Sequence, residues 1–282
     1  MLPAVGICGW SGSGKTTLVV ELVHRFTARG LRVGVIKHDV HGVAQAGGDK
    51  DSDRIFLAGA DAAVIGPGEV LQRMHPGPGC SLPELVAELD ASCDVVLCEG
   101  FKHERFAVKV WLRSGPSEHP PAGVEFVNRI LGPEEDRSAI VEAMIEEWVK
   151  ARVAATPVYG GVLIGGASRR MGRPKHLIEL DGRSWAERVV RVLSERVQGL
   201  ALLGAGEIPA KLNSLPVLPD APGRQGPLAG MLAAMRWQPD AAWFFVACDQ
   251  PLLRVAALDW MLRLRRPGVW AILPRRCGSG AV

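Results

Sequence analysis

A glycine-rich segment near the start of the chain has the residue types and spacing that bind the phosphates of a nucleotide. It reads GWSGSGKT over residues 9–16, matches the pattern G-x-x-x-x-G-K-[ST], and lies between a predicted strand (residues 3–8) and a predicted helix. In this pattern the backbone N–H groups point at phosphate oxygens, the lysine reaches the β- and γ-phosphates, and the threonine hydroxyl binds Mg²⁺. The predicted contacts of a nucleoside triphosphate are Gly9, Ser11, Gly12, Ser13, Gly14, Lys15, Thr16 and Thr17.

A carboxylate for the metal is expected at the end of a buried strand beside this loop. Glu99 directly follows the apolar run of residues 94–98, and Gly100 lets the chain leave the strand sharply. We predict that Glu99 contacts the nucleotide and its metal; an ordinary charged residue at a strand end is the alternative. Residues 37–39 (Lys-His-Asp) end another predicted strand, at the edge where open α/β sheets bind ligands. Residues 49–52 fit a capped helix start as well as a ligand site.

A second candidate site follows a predicted strand at residues 159–164 and combines glycines with basic residues. Gly165 and Gly166 permit close approach of the backbone to a base and ribose. Arg170 and Lys175 suit a triphosphate tail. This pattern alone is weak, and a solvated basic turn is the alternative.

Asp249 strengthens the second site because it ends the apolar strand predicted at residues 243–248 and has the oxygen ligands that Mg²⁺ prefers. A cation there can bridge the phosphates while an ionised acceptor attacks the α-phosphorus and pyrophosphate leaves. No side-chain nucleophile is needed, since alignment and charge neutralisation supply the catalysis. The predicted catalytic residues are Asp249, Lys175 and Arg170.

Strands alternate with helices in both halves of the chain, which predicts an α/β fold with mostly parallel sheets. The longest predicted helix of the first half covers residues 134–152. We therefore predict a P-loop domain at residues 1–155 and a Rossmann-like nucleotidyltransferase domain at residues 156–282. The last strand of the second domain is predicted at residues 269–273.

Composition excludes several other classes of protein. The 282 residues include 33 basic and 30 acidic side chains, a formal charge of +3 without a basic run, so nucleic acid is not an expected partner. The six cysteines have no metal-ligand spacing, and Cys8 and Cys98 suit the core of a protein in a reducing compartment. A predicted strand begins almost at Met1, which leaves no room for a signal peptide, and no apolar run is long enough for a membrane span. These features predict a cytoplasmic protein.

The first half resembles the molybdopterin-guanine dinucleotide biosynthesis protein B family. The resemblance rests on ordered motifs over residues 1–150: GWSGSGKTTL, VIKHD, GGDKDSDR, AGA and LCEGFK. It implies a GTP-binding P-loop protein, usually dimeric, with weak GTPase activity and an accessory role in molybdenum cofactor assembly. It also implies that Lys15, Thr16, Asp39, Asp51, Glu99 and Lys102 belong to the site. The proline that the family has before its G-K-D-S segment is absent, and Gly47 and Gly48 stand there instead.

The second half resembles the molybdenum cofactor guanylyltransferase family through the motifs LIGGASRRMGRPK, LPDA, GPLAGM and CDQP, over residues 158–275. The GPLAG segment at residues 226–230 favours guanylyl over cytidylyl transfer. The resemblance implies roles for Leu163, Gly165, Gly166 and Asp220 at the nucleotide, for Lys175 at the phosphates, and for Asp249 at the magnesium. Members continue well beyond the CDQP strand, so the resemblance implies a domain that is incomplete at its C-terminus.

Together these observations predict Mg²⁺-dependent transfer of GMP from GTP to molybdopterin, forming molybdopterin guanine dinucleotide. The alternative is a non-catalytic GTP-binding adaptor that delivers nucleotide or cofactor to molybdoenzymes. A third interpretation, a P-loop kinase fused to a sugar-nucleotide transferase, lacks support because no lid or second arginine cluster follows the P-loop.

Overall fold

The computed structural model describes residues 1–39, 51–75, 77, 80–165 and 174–274, and it confirms the predicted α/β class. The chain divides into two compact units, Met1–Lys150 and Ala151–Val282. This division falls within the last turns of one long helix, and the predicted domain limit at residue 155 is the final residue of that helix. In the part of the chain that the structure describes, no helix has the length and apolar character needed to cross a membrane.

The first unit is built on a sheet of five strands: β1 (Leu2–Gly9), β2 (Val33–Lys37), β5 (Val95–Glu99), β6 (Phe106–Leu112) and β7 (Arg129–Leu131). Their order in the sheet is β2-β5-β1-β6-β7, and every pairing is parallel. Its helices are α1 (Lys15–Ala28), α2 (Asp51–Leu57), α3 (Leu82–Asp90) and α4 (Arg137–Ala155).

Helices cover both faces of this sheet because its strands are apolar on both sides. On one face, α1 and α4 pack against Val5, Ile7 and Leu97. On the other face, Val86 of α3 packs in a buried apolar cluster with Ala4 of β1 and Phe106 of β6. All five residues of β5, including Glu99, are buried. The Glu99 side chain is therefore held at the end of a buried strand.

A small antiparallel hairpin, β3 (Ala62–Ile65) and β4 (Val70–Arg73), lies outside the main sheet of the first unit. The turn closes through a hydrogen bond from the Gly66 N–H to the Glu69 carbonyl. The Arg73 guanidinium ties the hairpin to α2 by pairing with the buried Asp53 carboxylate.

The second unit contains a parallel sheet of four strands: β8 (Val158–Leu163), β11 (Gly199–Leu203), β12 (Val217–Leu218) and β13 (Ala242–Ala247). Their order in the sheet is β12-β11-β8-β13. Two short strands, β9 (Glu179–Leu180) and β10 (Arg183–Ser184), pair separately with each other. Its helices are α5 (Trp185–Ser194), α6 (Pro227–Trp237) and α7 (Val255–Arg263). Ser184 caps α5 by accepting a hydrogen bond from the Glu187 N–H at 3.2 Å.

The prediction of a strand at residues 269–273 is wrong. This segment follows a turn and has no strand assignment, and Trp270 and Leu273 are 61% and 89% exposed. Its apolar composition suggested a strand, but among the described residues the segment pairs with no neighbouring strand that could satisfy its backbone groups.

Candidate nucleotide sites

The phosphate-binding loop of the first unit leaves β1 at Gly9 and enters α1 at Lys15. A Cβ atom at Gly9 would lie 2.5 Å from both the Leu112 carbonyl oxygen and the Ser13 hydroxyl oxygen, so the loop can close only over glycine. Gly14 has a φ of 88°, in the left-handed region where glycine is unstrained. The segment therefore forms the tight turn that its glycine spacing predicts.

Two polar groups of this loop are placed to meet an anion. The Lys15 ammonium donates hydrogen bonds to the carbonyl oxygens of Trp10 at 2.6 Å and Gly9 at 3.2 Å, which holds it across the loop. The Ser13 hydroxyl is buried and has no hydrogen-bond partner among the described residues. A buried hydroxyl in this state is costly unless it meets a ligand or water, and a phosphate oxygen would satisfy it.

Glu99 lies beside the first turn of α1, as the strand-end position predicted. The Thr16 hydroxyl donates to Glu99 Oε1 at 2.7 Å, and the Lys37 ammonium lies 3.6 Å from the same oxygen. Glu99 is only 5% exposed, so its carboxylate has little contact with solvent. The carboxyl ends of β1, β2 and β5 thus bring the Thr16, Lys37 and Glu99 side chains together.

The other candidates of the first unit have different surroundings. Asp39 follows β2 at the same edge of the sheet. Asp51 begins α2 with an exposed side chain 3.9 Å from Arg54, which agrees with the start of a helix. The Lys102 ammonium lies 5.1 Å from the centre of the Trp10 ring and so contacts the tip of the phosphate-binding loop.

Arg137, at the start of α4, is a residue that the sequence did not single out. Its guanidinium donates to the carbonyl oxygen of Ser13 at 2.8 Å, to that of Arg113 at 2.5 Å and to that of Gly132 at 2.7 Å. These bonds tie the phosphate-binding loop to the ends of β6 and β7. No local pattern marks this role, because Ser13 and Arg137 are 124 residues apart in the chain.

Lys109 is a second residue that sequence reasoning missed. It is fully buried in β6, and its ammonium donates to the carbonyl oxygens of Lys102, Glu104 and Glu125 at 2.7–2.9 Å. Burial lowers the pKa of the Lys109 ammonium, and its three carbonyl partners supply the compensation that a buried cation needs. The only signal in the sequence is a lone lysine within the apolar run FAVKVWL.

The buried cysteines of the first unit take no part in this site. Burial raises the pKa of the Cys8 thiol to about 11 and that of the Cys98 thiol to about 12. Both thiols are free and remain protonated near neutral pH. They are core residues, as their place in apolar strands predicted.

In the second unit, Gly165 follows β8 and lies against the loop that follows β11. A Cβ atom at Gly204 would lie 2.9 Å from the Gly165 Cα, so the loop after β11 approaches Gly165 this closely only because residue 204 is a glycine. The Leu163 side chain packs into the apolar cluster beneath α6, and its carbonyl oxygen accepts a hydrogen bond from the Cys248 N–H at 3.1 Å. Gly166 and Arg170 lie outside the described residues.

Lys175 and Asp249 form an ion pair at this edge. The Lys175 ammonium lies 2.8 Å from Asp249 Oδ2, and the side chains are 37% and 39% exposed. Asp249 follows the buried Cys248 at the end of β13, and Lys175 begins a short 3₁₀ helix. The structure therefore brings together two of the three predicted catalytic residues.

Asp220 follows β12 and borders a cavity of about 310 Å³ between the β12 end and α6. A Cβ atom at Gly230 of α6 would lie 3.2 Å from the Leu203 Cβ and 3.6 Å from Asp220 Oδ1. Gly230, the last glycine of the GPLAG segment, thus lets α6 approach the sheet beside Asp220.

His176 is the residue of the second unit that sequence reasoning missed. It is 4% exposed, and its Nε2 lies 2.8 Å from the Glu207 carbonyl oxygen. A Cβ atom at Gly206 would lie 3.1 Å from His176 Cε1, so the imidazole packs directly under the loop that follows β11. Its neighbour Lys175 is therefore anchored to this loop.

The fold and the phosphate-binding loop define the first unit as a P-loop nucleotide-binding protein. Residues 4–124 match the family described as molybdopterin guanine dinucleotide synthesis protein B. The molybdopterin-guanine dinucleotide biosynthesis adapter protein of Escherichia coli (strain K12) is 36% identical over 124 residues, which are 43% of this chain and 71% of that protein. The chain therefore belongs to the molybdopterin guanine dinucleotide synthesis protein B family.

Residues 160–280 match the MobA-like NTP transferase domain, so both resemblances stated from the sequence are confirmed. The molybdenum cofactor guanylyltransferase of Rhizobium meliloti (strain 1021) is 52% identical over 77 residues, which are 27% of this chain and 35% of that protein. The molybdenum cofactor biosynthesis bifunctional protein of Synechocystis is 36% identical over 136 residues, 46% of this chain and 38% of that protein. The chain thus spans little more than a third of these two relatives, and its families place it in molybdenum cofactor biosynthesis.

Replacement of Lys109 by methionine tests whether the three hydrogen bonds of its buried ammonium stabilise the first unit. We expect the free energy of unfolding of this unit to fall by roughly 2–4 kcal/mol, because three carbonyls lose their donor. Hydrogen exchange in residues 101–105 should accelerate in parallel, as measured by mass spectrometry. Lys150→Met is the matched control, since the Lys150 side chain is 66% exposed and forms a surface ion pair with Glu146. Equal stability and exchange in the two variants would contradict the role given to Lys109.

Proposed function

We propose that the first unit binds Mg·GTP and that the second unit transfers GMP from Mg·GTP to molybdopterin, forming molybdopterin guanine dinucleotide and pyrophosphate. The observation that carries this proposal is the Lys175–Asp249 pair, 2.8 Å apart at the carboxyl edge of a parallel sheet. It puts a cation for phosphates beside a carboxylate for a metal, in a unit that matches the MobA-like NTP transferase domain. The similarity to the molybdenum cofactor guanylyltransferase of Rhizobium meliloti supports the guanine nucleotide.

The groups that surround the loop of the first unit support the proposal of triphosphate binding. Lys15 would exchange its two carbonyl partners for β- and γ-phosphate oxygens. The buried Ser13 hydroxyl and the backbone N–H groups of Ser11, Gly12 and Gly14 would donate to the same phosphates. The positive end of α1 adds to the attraction. Thr17, in the first turn of α1, would contact the α-phosphate.

The donor set fits a magnesium ion at each site. Thr16 and Glu99 offer two oxygens already 2.7 Å apart, and Asp249 offers a half-exposed carboxylate. Among the described residues no three histidine, cysteine or acidic side chains cluster as a metal cage. Mg²⁺ ordinarily takes one or two protein oxygens together with substrate phosphates and water, which suits these sites. When bound, it supplies neutralisation of the triphosphate charge.

The second unit would catalyse transfer by alignment. An ionised phosphate oxygen of molybdopterin attacks the α-phosphorus of GTP, a new P–O bond forms, and the bond to the β-phosphate breaks with release of pyrophosphate. The backbone at Leu163, Gly165 and Gly166 and the Asp220 carboxylate would hold the nucleoside. Lys175 would turn from Asp249 to the phosphates and stabilise the leaving pyrophosphate, with Arg170 as a second cation.

The proposal extends to partners and location. A homodimer through the first unit would cover the apolar side chains on α2 and the hairpin, of which Leu57, Ile65 and Val70 are 66–81% exposed. Molybdoenzymes would receive the finished cofactor, in the cytoplasm. Nucleic acid is not part of the proposal, because the formal charge is only +3.

A second candidate function is that of a non-catalytic adaptor. It is favoured by the similarity to the Escherichia coli relative, an adapter protein of which this chain covers 71%. In this case the second unit would bind nucleotide or cofactor without releasing pyrophosphate, while weak GTPase activity would belong to the first unit. The two functions differ in whether pyrophosphate appears when GTP and molybdopterin are both present.

Lys15→Ala tests triphosphate binding by the first unit. We expect GTP affinity at this site to fall at least about tenfold, because a charge-assisted contact to the β- and γ-phosphates is lost. Calorimetric titration with Mg·GTP measures it, in a Lys175→Ala background that removes the proposed phosphate contact of the second unit. Lys150→Ala, a change at an exposed lysine, is the control and should bind normally. Unchanged affinity in the Lys15 variant would refute the site.

Asp249→Ala tests the transfer reaction. We expect pyrophosphate release from GTP plus molybdopterin to fall by a factor on the order of 10³, because a metal ligand at the reacting phosphates is lost, while GTP binding changes much less. Asp240→Ala is the matched control, since Asp240 lies at the amino end of the same strand, away from the ligand edge. If the unaltered chain releases no pyrophosphate with both substrates present, the adaptor function stands in place of transfer.

A further inference from the structure

A cavity of about 350 Å³ opens beside the phosphate-binding loop of the first unit. One wall comes from the loop and α1, through Gly14, Thr17, Leu18 and Glu21, and the other comes from residues 135–138 at the start of α4. Its volume lies in the range of small-molecule sites. None of the residues from the α4 side belongs to the motif that predicted the phosphate site.

The position of this cavity relates it to the nucleoside of a bound nucleotide. The loop cradles the α- and β-phosphates through its N–H groups, so the ribose and base must extend past the first turn of α1. The cavity borders both Gly14, the last residue of the loop, and Thr17 in that first turn. A base entering it would meet the polar groups at the start of α4.

Asp136 lies in this wall, and hydrogen bonds hold one oxygen of its carboxylate in place while the other oxygen can still accept. Its Oδ1 accepts hydrogen bonds from the Ala139 N–H and the Ser138 hydroxyl, both at 3.0 Å. Neither of these bonds uses Oδ2. These same contacts lower the pKa of the Asp136 carboxyl, which is therefore ionised near neutral pH.

The neighbouring Glu135 is occupied differently. Its Oε2 accepts from the Gly132 N–H at 2.7 Å, and its Oε1 lies 3.4 Å from an Arg129 guanidinium nitrogen. Both of its oxygens are thus engaged in shaping the loop between β7 and α4. Glu21 is an exposed side chain on α1.

The chemistry of an ionised carboxylate selects among bases. Guanine presents two adjacent donors, the N1–H and the 2-amino group, whereas adenine presents an amino group beside an acceptor nitrogen. We propose that Asp136 recognises the guanine base of the nucleotide held by the phosphate-binding loop, by accepting from these two donors. This inference rests on the proposed triphosphate site and adds the group that selects GTP over ATP.

The test is a change in base preference upon Asp136→Asn. Asparagine also caps helices well, so the start of α4 should keep its conformation, which circular dichroism and thermal unfolding check. Its amide can donate to the C2 oxygen of xanthine but repels the 2-amino group of guanine. In the full chain carrying Lys175→Ala, we expect GTP affinity to fall at least about tenfold and XTP affinity to rise by a similar factor. ATP affinity should stay low and unchanged.

A matched control separates recognition from general charge. Glu134→Gln removes one negative charge from the same loop, from a side chain that pairs with Arg113 and does not line the cavity. It should leave the preference for GTP over XTP and ATP unaltered. ITP, which lacks the 2-amino group, should bind the Asp136 protein about tenfold more weakly than GTP.

The outcomes are distinct for the two levels of the proposal. A switch from GTP to XTP in Asp136→Asn alone supports base recognition by this residue. Equal binding of GTP, ITP and ATP, unaffected by the substitution, overturns base recognition while leaving the triphosphate site intact. Binding of none of these nucleotides in a Lys15-dependent manner overturns both.

Discussion

The hydrogen bond between the Thr16 hydroxyl and Glu99 depends on the parallel pairing of β1 with β5 in one register. Ile7 lies opposite Glu99, so the phosphate-binding loop leaves β1 two residues beyond the level of the carboxylate. Because both strands are buried and apolar, this register is strongly fixed. A slip by one residue would turn Glu99 to the other face of the sheet and separate it from Thr16, although the two residues are 83 positions apart in the chain.

The second unit obeys the same constraint with different residues. Leu163, at the end of β8, lies opposite Leu203 of β11 and Ala247 of β13, so the loops that follow these three strands begin at one level. Gly165, Gly204 and Asp249 are thereby brought to one edge without any contact being required between distant loops. Ligands of open α/β sheets bind at this edge for the same reason. Strand ends thus position Glu99 in the first unit and Asp249 in the second.

Sequence reasoning found the groups whose chemistry is local. The spacing of Gly14, Lys15 and Thr16, and the place of Glu99 or Asp249 after an apolar strand, are visible in a single segment of chain. Arg137 and His176 escaped it because they act by donating to, or packing on, backbone that folds back from elsewhere. Backbone carbonyls carry no residue-specific signature, so such contacts leave no pattern in the sequence.

The wrong prediction of a strand at residues 269–273 has a related cause. Residues 269–273 have the apolar composition of a strand, but a strand also needs a neighbour for its backbone groups, and composition does not report whether one is present. By contrast, β5 was predicted correctly because its apolar run is bounded by residues that end a strand and lies between two parallel neighbours. A segment of apolar composition forms a strand only where a neighbouring strand pairs with its backbone.

The central claim is that the chain holds two independent guanine nucleotide sites, one at the carboxyl edge of each sheet. Equilibrium dialysis of the full chain against labelled GTP and Mg²⁺ counts them directly. The account predicts that the unaltered chain binds two GTP molecules and that the Lys15→Ala protein binds one. A count of one in both proteins would contradict it, because the phosphate-binding loop would then hold no triphosphate.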